Sequence, residues 1–307
     1  MNSQPFSNKL HNQAIFALIA ANIIWGAASP IFKLALENLP PFTLAFLRFF
    51  VASIFLFPLA YKNLKIQKAD WLNLILVSIF GITINITFFF WGLLLAPSIN
   101  APIISSAAPV FIYIFSIFFL HEKNHPKVLL GTMTSLFGVL VIVVQPILSH
   151  GVDTQIIGNL FFIIATFGTV IHSIIGKKIL DKYNPFTITF WSFLIGSLSF
   201  LPFFINEMVT IHPFETIDQR GLLGLSFGIL LSSLAAYTLY HWGMKQIKAQ
   251  EIGVFFYIDP IIAALIAIPL LGEKITGIFL FGSLLVFAGI FIAEGRLHYH
   301  PLHKLRR

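Results

Sequence analysis

The sequence predicts an all-α polytopic membrane protein, with ten transmembrane helices laid out as two inverted five-helix repeats. Three observations carry this reading. Of the 307 residues, 57% are hydrophobic and only 10% charged, with a mean hydropathy of +0.89, against roughly 25% charged in soluble globular chains. Such a chain has too little polar surface to dissolve its own core. Apolar stretches close to the ~20 residues that cross a ~30 Å hydrocarbon layer recur along the whole length. Finally, distinctive residues of the first half recur in the second at constant offsets, so that five stretches match five.

The ten stretches are 14–36, 43–60, 71–95, 101–120, 128–147, 156–176, 186–205, 221–244, 252–271 and 275–293. Threaded through the bilayer in that order, they put fifteen of the nineteen Lys and Arg on one side, leaving Lys33, Arg48, Arg220 and Lys274 on the other. The excess marks the cytoplasmic side and places both termini there. A net charge of +7 and a pI near 9.6 therefore reflect topology rather than nucleic-acid binding, because the basic residues alternate with the spans instead of forming one face. The chain has no cysteine, which removes disulfides and thiol chemistry.

The first span follows a short polar tail, 1–13. A cleaved signal peptide ending near Ala27-Ala28-Ser29 is the competing reading. Against it, the apolar run continues past that point and has a counterpart. Aligning Pro41-Phe42-Thr43 with Pro185-Phe186-Thr187 sets Asn22 on Thr166, Ser29 on Ser173, Lys33 on Lys177 and Glu37 on Asp181. Asn22, Gly26, Ser29 and Lys33 form one helical stripe, and a polar stripe in lipid faces the bundle. Lys33 and Arg48, near the outer ends of spans one and two, are expected to snorkel to the headgroups, Lys33 with Glu37 in reach four residues on.

Spans three and eight share Trp91-Gly92 and Trp242-Gly243. At that same offset, spans four and nine share Pro109 and Pro260, and Glu122-Lys123 recurs as Glu273-Lys274. A proline at one point of two matched segments frees a backbone carbonyl in each, so these two are the candidate hinges, and the site is expected between their helices. Spans five and ten share Gly131 with Gly282 and Gly138 with Gly289, a small-residue face for close packing. The repeats thus read 1–149 and 150–307, the second ending in a short basic cytoplasmic tail. Five spans per copy force the second copy in upside down, the arrangement of many secondary carriers.

NIIWGAASPIFKLAL, the Arg48 of FLRFFVAS, the proline-centred fourth span and YIDPIIAALIAIPLLGEK together resemble the EamA branch of the drug/metabolite transporter superfamily, over nearly the whole chain. The resemblance implies a ten-helix carrier of the bacterial inner membrane, often exporting amino acids or related metabolites. Two residues depart from its usual pattern: His121 before Glu122, where Gly is customary, and Asp259 before Pro260, where Glu is common.

Candidate substrate-binding residues sit near mid-depth on inward faces: Asn22, Trp25 and Ser29; Asn85 and Phe89; Ser105 and Tyr113; His172; Tyr237, Tyr240 and His241; Tyr257 and Asp259. This aromatic, hydrogen-bonding set with few charges suits a small, partly apolar solute. Packing or an interface belt is the competing account of each aromatic. Asp259 is the sharpest case, since an intramembrane carboxylate borders a watery cavity or is paired; it is read as the site of a substrate cation or a coupling proton, or else as a partner of Lys245 or Lys248. His172 and His241 are read as proton carriers, or as helix contacts.

His121-Glu122-Lys123-Asn124-His125 matches the H-E-x-x-H pattern of zinc hydrolases. Pro126 directly after His125 disfavours the helix that the second ligand needs, and Glu122 is already explained by the repeat, so no metal and no enzyme is expected. His298, His300 and His303 belong to a basic tail near anionic lipid. No Walker-type phosphate loop occurs and no cofactor is expected. The partners are then a small-molecule substrate and the bilayer, with a proton as candidate coupling ion; a scaffold that binds without flux is the remaining alternative.

Overall fold

The computed structural model describes residues 5–108, 111, 126–150, 154–247 and 253–294. Every regular element among them is helical. In chain order these are α1 (Pro5–Ala35), α2 (Pro41–Ala60), α3 (Lys68–Leu95), α4 (Asn100–Ser105), α5 (Pro126–His150), α6 (Thr154–Leu180), α7 (Pro185–Thr210), α8 (Gln219–Gln246), α9 (Phe255–Leu271) and α10 (Gly277–Glu294). Six of them, α1, α2, α3, α6, α7 and α8, are long and apolar enough to cross a membrane, and α5, α9 and α10 contain shorter apolar helices. α4 is the described start of the fourth predicted span. Pro109, Tyr113 and the His121–His125 pattern lie outside the described residues.

Local chemistry sets the ends. α2 and α7 each open on a proline, which needs no N–H partner there and has the helical φ built in. The Asn184 side chain accepts from Phe186 N at α7, and that of Asp218 accepts from Arg220 N and Gly221 N at α8, as N-caps do. α9 stops at Gly272, whose φ of 66° is the left-handed conformation that closes helices. Glu207, buried near the end of α7, accepts from Phe42 N, Thr43 N and the Thr43 hydroxyl. One carboxylate thereby satisfies the otherwise unpaired start of α2.

The most extensive helix contacts pair off under exchange of α1 with α6, α2 with α7, α3 with α8, α4 with α9 and α5 with α10. α2 packs on α7 and α5 on α10, each its own counterpart; α1 packs on α8 and α9 just as α6 packs on α3 and α4. Glycines let the backbones touch. A β-carbon on Gly138 would lie 2.6 Å from the Gly282 carbonyl, and one on Gly289 would collide with the Gly131 carbonyl, so the small residues matched in the sequence form one α5–α10 seam. A β-carbon on Gly26 would lie 2.8 Å from the Asp259 carbonyl where α1 crosses α9. Outward-facing apolar side chains such as Phe291, 79% exposed, suit contact with lipid tails.

α3 and α8 each widen into a π-helical stretch, Ile79–Ile84 and Gly228–Ala235. Bonding to the fifth residue on strands a carbonyl from its usual partner, and such turns gather at functional sites. At matched positions a side chain from elsewhere supplies the donor: Tyr237 OH donates to Gly81 O (3.4 Å) and Trp25 Nε1 to Ser232 O (3.1 Å).

Three sequence expectations need correcting. Lys33 does not pair with Glu37: its ammonium donates to the Ala96 carbonyl at the end of α3 (2.6 Å) and lies 3.4 Å from Glu273, while Glu37 bonds Arg220 at 2.7 Å. Arg48 does not snorkel; it is 1% exposed. Pro260 does not interrupt a long helix, because a 3₁₀ turn, Gly253–Tyr257, precedes the α-helical run that starts at Ile258. The proline therefore falls in the first α-helical turn, where it costs no hydrogen bond.

Candidate functional site

A cavity open on one side, with about 830 Å³ of space between atoms including open solvent, lies among α1, α2, α3, α4, α6, α8 and α9. α1 lines it with Trp25, Ser29 and Phe32, α2 with Arg48, and α3 with Gly81, Asn85 and Phe89. α4 adds Pro102 and Ser105, α6 Thr169 and His172, α8 Ser232, Tyr237 and Tyr240, and α9 Phe256 and Asp259. Nine of the thirteen sequence candidates are on this wall: Trp25, Ser29, Asn85, Phe89, Ser105, His172, Tyr237, Tyr240 and Asp259. Asn22 is buried behind it, its amide donating to Leu18 O. His241 stands one layer back, against His172. Tyr257 is turned to Phe287, and Tyr113 lies outside the described residues.

The wall is tied down from behind. Asn85 donates to the Ala165 carbonyl and the Thr169 hydroxyl, both at 2.8 Å, and Tyr240 OH meets Ser173 Oγ at 3.0 Å. The Trp25 ring packs on Tyr237 and Tyr240 at centroid distances of 5.1 and 4.9 Å. One side of the cavity is thus an aromatic platform fixed by hydrogen bonds at its rim.

Arg48 supplies what the sequence reading missed. Its Nε donates to Ser233 Oγ (3.0 Å) and one terminal nitrogen to Ser232 Oγ (3.1 Å). The guanidinium carbon lies 4.6 Å from the Phe32 ring and 4.5 Å from that of Phe49, contacts worth up to ~2 kcal/mol when desolvated. The other terminal nitrogen, Nη1, is buried with no partner. Across the cavity, Asp259 is 7% exposed and its Oδ1 is likewise buried without a partner. It pairs with no Lys245, whose ammonium donates to Tyr183 O; Lys248 lies outside the described residues. Two buried ionisable residues, each with a polar atom that no protein group satisfies, thus line one space. The available signal for Arg48 was the rule that an ionisable residue within a span faces the bundle interior.

At the ends, ties join the halves. Lys182 meets the Asp70 carboxylate at 2.8 Å, and Tyr183 OH donates to its second oxygen at 2.7 Å; hydrogen bonding to Asp70 holds the Lys182 ammonium above its usual pKa. At the other end Glu273 accepts from Ser98 N and Ile99 N, at the start of α4. Among the described residues, no three His, Cys, Asp or Glu cluster as a metal site.

The EamA-like transporter family matches residues 12–144 and again 156–294. The chain belongs to that family. It is 27% identical over 297 residues to an uncharacterized transporter of Archaeoglobus fulgidus, covering 94% of this chain and 100% of the relative. It is 25% identical over 291 residues to a probable amino-acid metabolite efflux pump of Escherichia coli, at 91% and 93% coverage. A solved crystal structure shares the fold with a TM-score of 0.66 at 18% identity, covering 91% of this chain and 96% of that one. This EamA protein is therefore a multi-pass membrane transporter.

Proposed function

We propose that this EamA protein exports neutral or aromatic amino acids, or closely related metabolites, across the bacterial inner membrane by alternating access. In this reading residues 1–149 and 150–307 are two inverted five-helix repeats crossing ten times, with both termini in the cytoplasm. The exchange symmetry of the helix packing supports the repeats, and the distribution of Lys and Arg supports the orientation.

The observation that carries the cargo assignment is that Arg48 and Asp259, each with a buried polar atom that no protein group satisfies (Nη1 and Oδ1), line the same cavity. Asp259 is level with Gly26 on α1 and Arg48 with Phe32, six residues apart, which at 1.5 Å per residue is about 9 Å along the helix. In this reading an α-amino acid, with its ammonium and carboxylate about 3 Å apart and a charge-assisted hydrogen bond of about 2.8 Å at each end, suits an axial offset of that order. Trp25, Tyr237 and Tyr240 then receive its side chain. The name of the Escherichia coli relative points to the same class. The 3₁₀-to-α junction beside Pro260 is the proposed hinge of the second half, and Pro109 that of the first.

Counterflow tests this. In proteoliposomes loaded with a panel of unlabelled amino acids, labelled phenylalanine or leucine outside is expected to accumulate transiently. Exchange of other metabolites with no response to any amino acid would keep the carrier and remove this cargo.

A further inference from the structure

Asn85 on the cavity wall has its hydrogen-bonding polarity fixed from behind. It opens the α-helical run of α3 that follows the π-helical stretch Ile79–Ile84. Its Nδ2 lies 2.8 Å from both the Ala165 carbonyl and Thr169 Oγ1 on α6. A carbonyl only accepts, so the atom facing it is the amide nitrogen and not the amide oxygen. That nitrogen carries two hydrogens, and the two contacts use both. The Thr169 hydroxyl lies 3.4 Å from the same carbonyl, which receives its hydrogen and leaves its oxygen to accept from Asn85.

Packing holds this arrangement in place. A β-carbon on Gly168 of α6 would lie 2.6 Å from the Phe80 carbonyl and 3.3 Å from the β-carbon of Asn85. The bare backbone at Gly168 therefore lets α3 and α6 meet where the Asn85 side chain starts. With its nitrogen against α6, Asn85 has one polar side-chain atom left for the cavity it lines, Oδ1. Among the described residues nothing is hydrogen-bonded to that oxygen, and it is not closed off by protein.

Of the α3 residues on the wall, Gly81, Asn85, Ile86 and Phe89, Asn85 alone has a polar side chain. It stands one helical turn, about 6 Å, beyond Gly81, whose carbonyl accepts from Tyr237 OH. Tyr237 packs in turn on Trp25, so the aromatic platform reaches α3 one turn from Asn85. A ring resting on that platform has a side-chain acceptor at its α3 rim.

We infer that Asn85 is a specificity-determining residue, favouring cargo whose ring carries an N–H or O–H donor, tyrosine or tryptophan over phenylalanine. The inference rests on the amino-acid reading above and adds which ring the cavity prefers. A donor on the cargo bonds Oδ1, whereas a bare ring covers that oxygen and leaves it unpaired, and sites built to bond a substrate hydroxyl discriminate in this way. Both partners are neutral, so the preference requires no buried charge.

The test is competition in proteoliposomes carrying the full-length protein, with labelled phenylalanine in counterflow against unlabelled phenylalanine, tyrosine and 4-methylphenylalanine. The last matches tyrosine in size and has no hydrogen to donate. Tyrosine is expected to compete at least about fivefold better than either, the size of one hydrogen bond. In Asn85→Leu, which keeps the bulk and removes the acceptor, the ratio of tyrosine to phenylalanine should fall to about one. Equal competition by tyrosine and 4-methylphenylalanine in the wild type, or a tyrosine preference kept in Asn85→Leu, would overturn the proposal. If the variant fails to fold, the wild-type comparison alone decides. Absence of counterflow with every aromatic amino acid would remove the cargo reading and this proposal together, while equal competition removes this proposal alone.

Discussion

Arg48→Gln is expected to remove at least ~30-fold of the transport rate at limiting substrate while the protein still folds and reconstitutes. Glutamine keeps a donor for Ser232 or Ser233 and most of the packing against Phe32 and Phe49. What it lacks is the positive charge at Nη1, which has no protein partner. Truncating one member of a desolvated charge pair costs about 2–5 kcal/mol, and 2 kcal/mol is about 30-fold. Arg48→Lys should fail nearly as badly, since a point charge cannot bond both serines and a carboxylate from one planar group. Counterflow rates for the two variants, at equal reconstituted amounts, check this. Wild-type KM and rate in Arg48→Gln would show that the buried guanidinium is only a packing element.

Asp259→Asn is expected to have a comparable effect, confined to substrates that carry an ammonium group. The substitution preserves shape and removes charge at a position whose Oδ1 has no protein partner, and the α1–α9 crossing at Gly26 touches the backbone of Asp259 rather than its carboxylate. The helix contact should survive, with KM for a neutral amino acid raised about 30-fold or more by the loss of one desolvated ion pair. A deaminated analogue, lacking the group that Asp259 would bind, should interact equally with wild type and variant. An equal loss for both compounds would assign Asp259 to the fold.

Much of the architecture was legible because membrane solvation constrains it so strongly. Helices must satisfy their own backbone in lipid, so apolar runs announce helices, six of which are long and apolar enough to cross a membrane, and glycines at Gly138, Gly282 and Gly289 announce a seam that proves to be α5 on α10. The aromatic side of the cavity was legible for the same reason. Partners distant in sequence were not. Lys33 and Glu37 sit at the spacing of a helical ion pair, yet each bonds across the fold, to Ala96 and Glu273 in one case and Arg220 in the other. Arg48 is flanked by apolar residues on every side in the sequence, so no stripe tells which way it points; the serines that hold it are 184 and 185 residues away. Thr189 and His241 are likewise joined only by tertiary contact. Pro260 was visible, but its effect depends on where a helix begins, which the 3₁₀ turn before it decides.

That one cavity reads both charges of a single zwitterion is tested most directly by competition. Counterflow of labelled phenylalanine is measured against unlabelled phenylalanine, its decarboxylated amine and its deaminated acid. Unlabelled phenylalanine should compete at least ~30-fold better than either analogue, because each analogue leaves Arg48 or Asp259 desolvated and unpaired. Equal competition by all three would mean that only the ring is recognised, and would contradict the assignment of both charged residues.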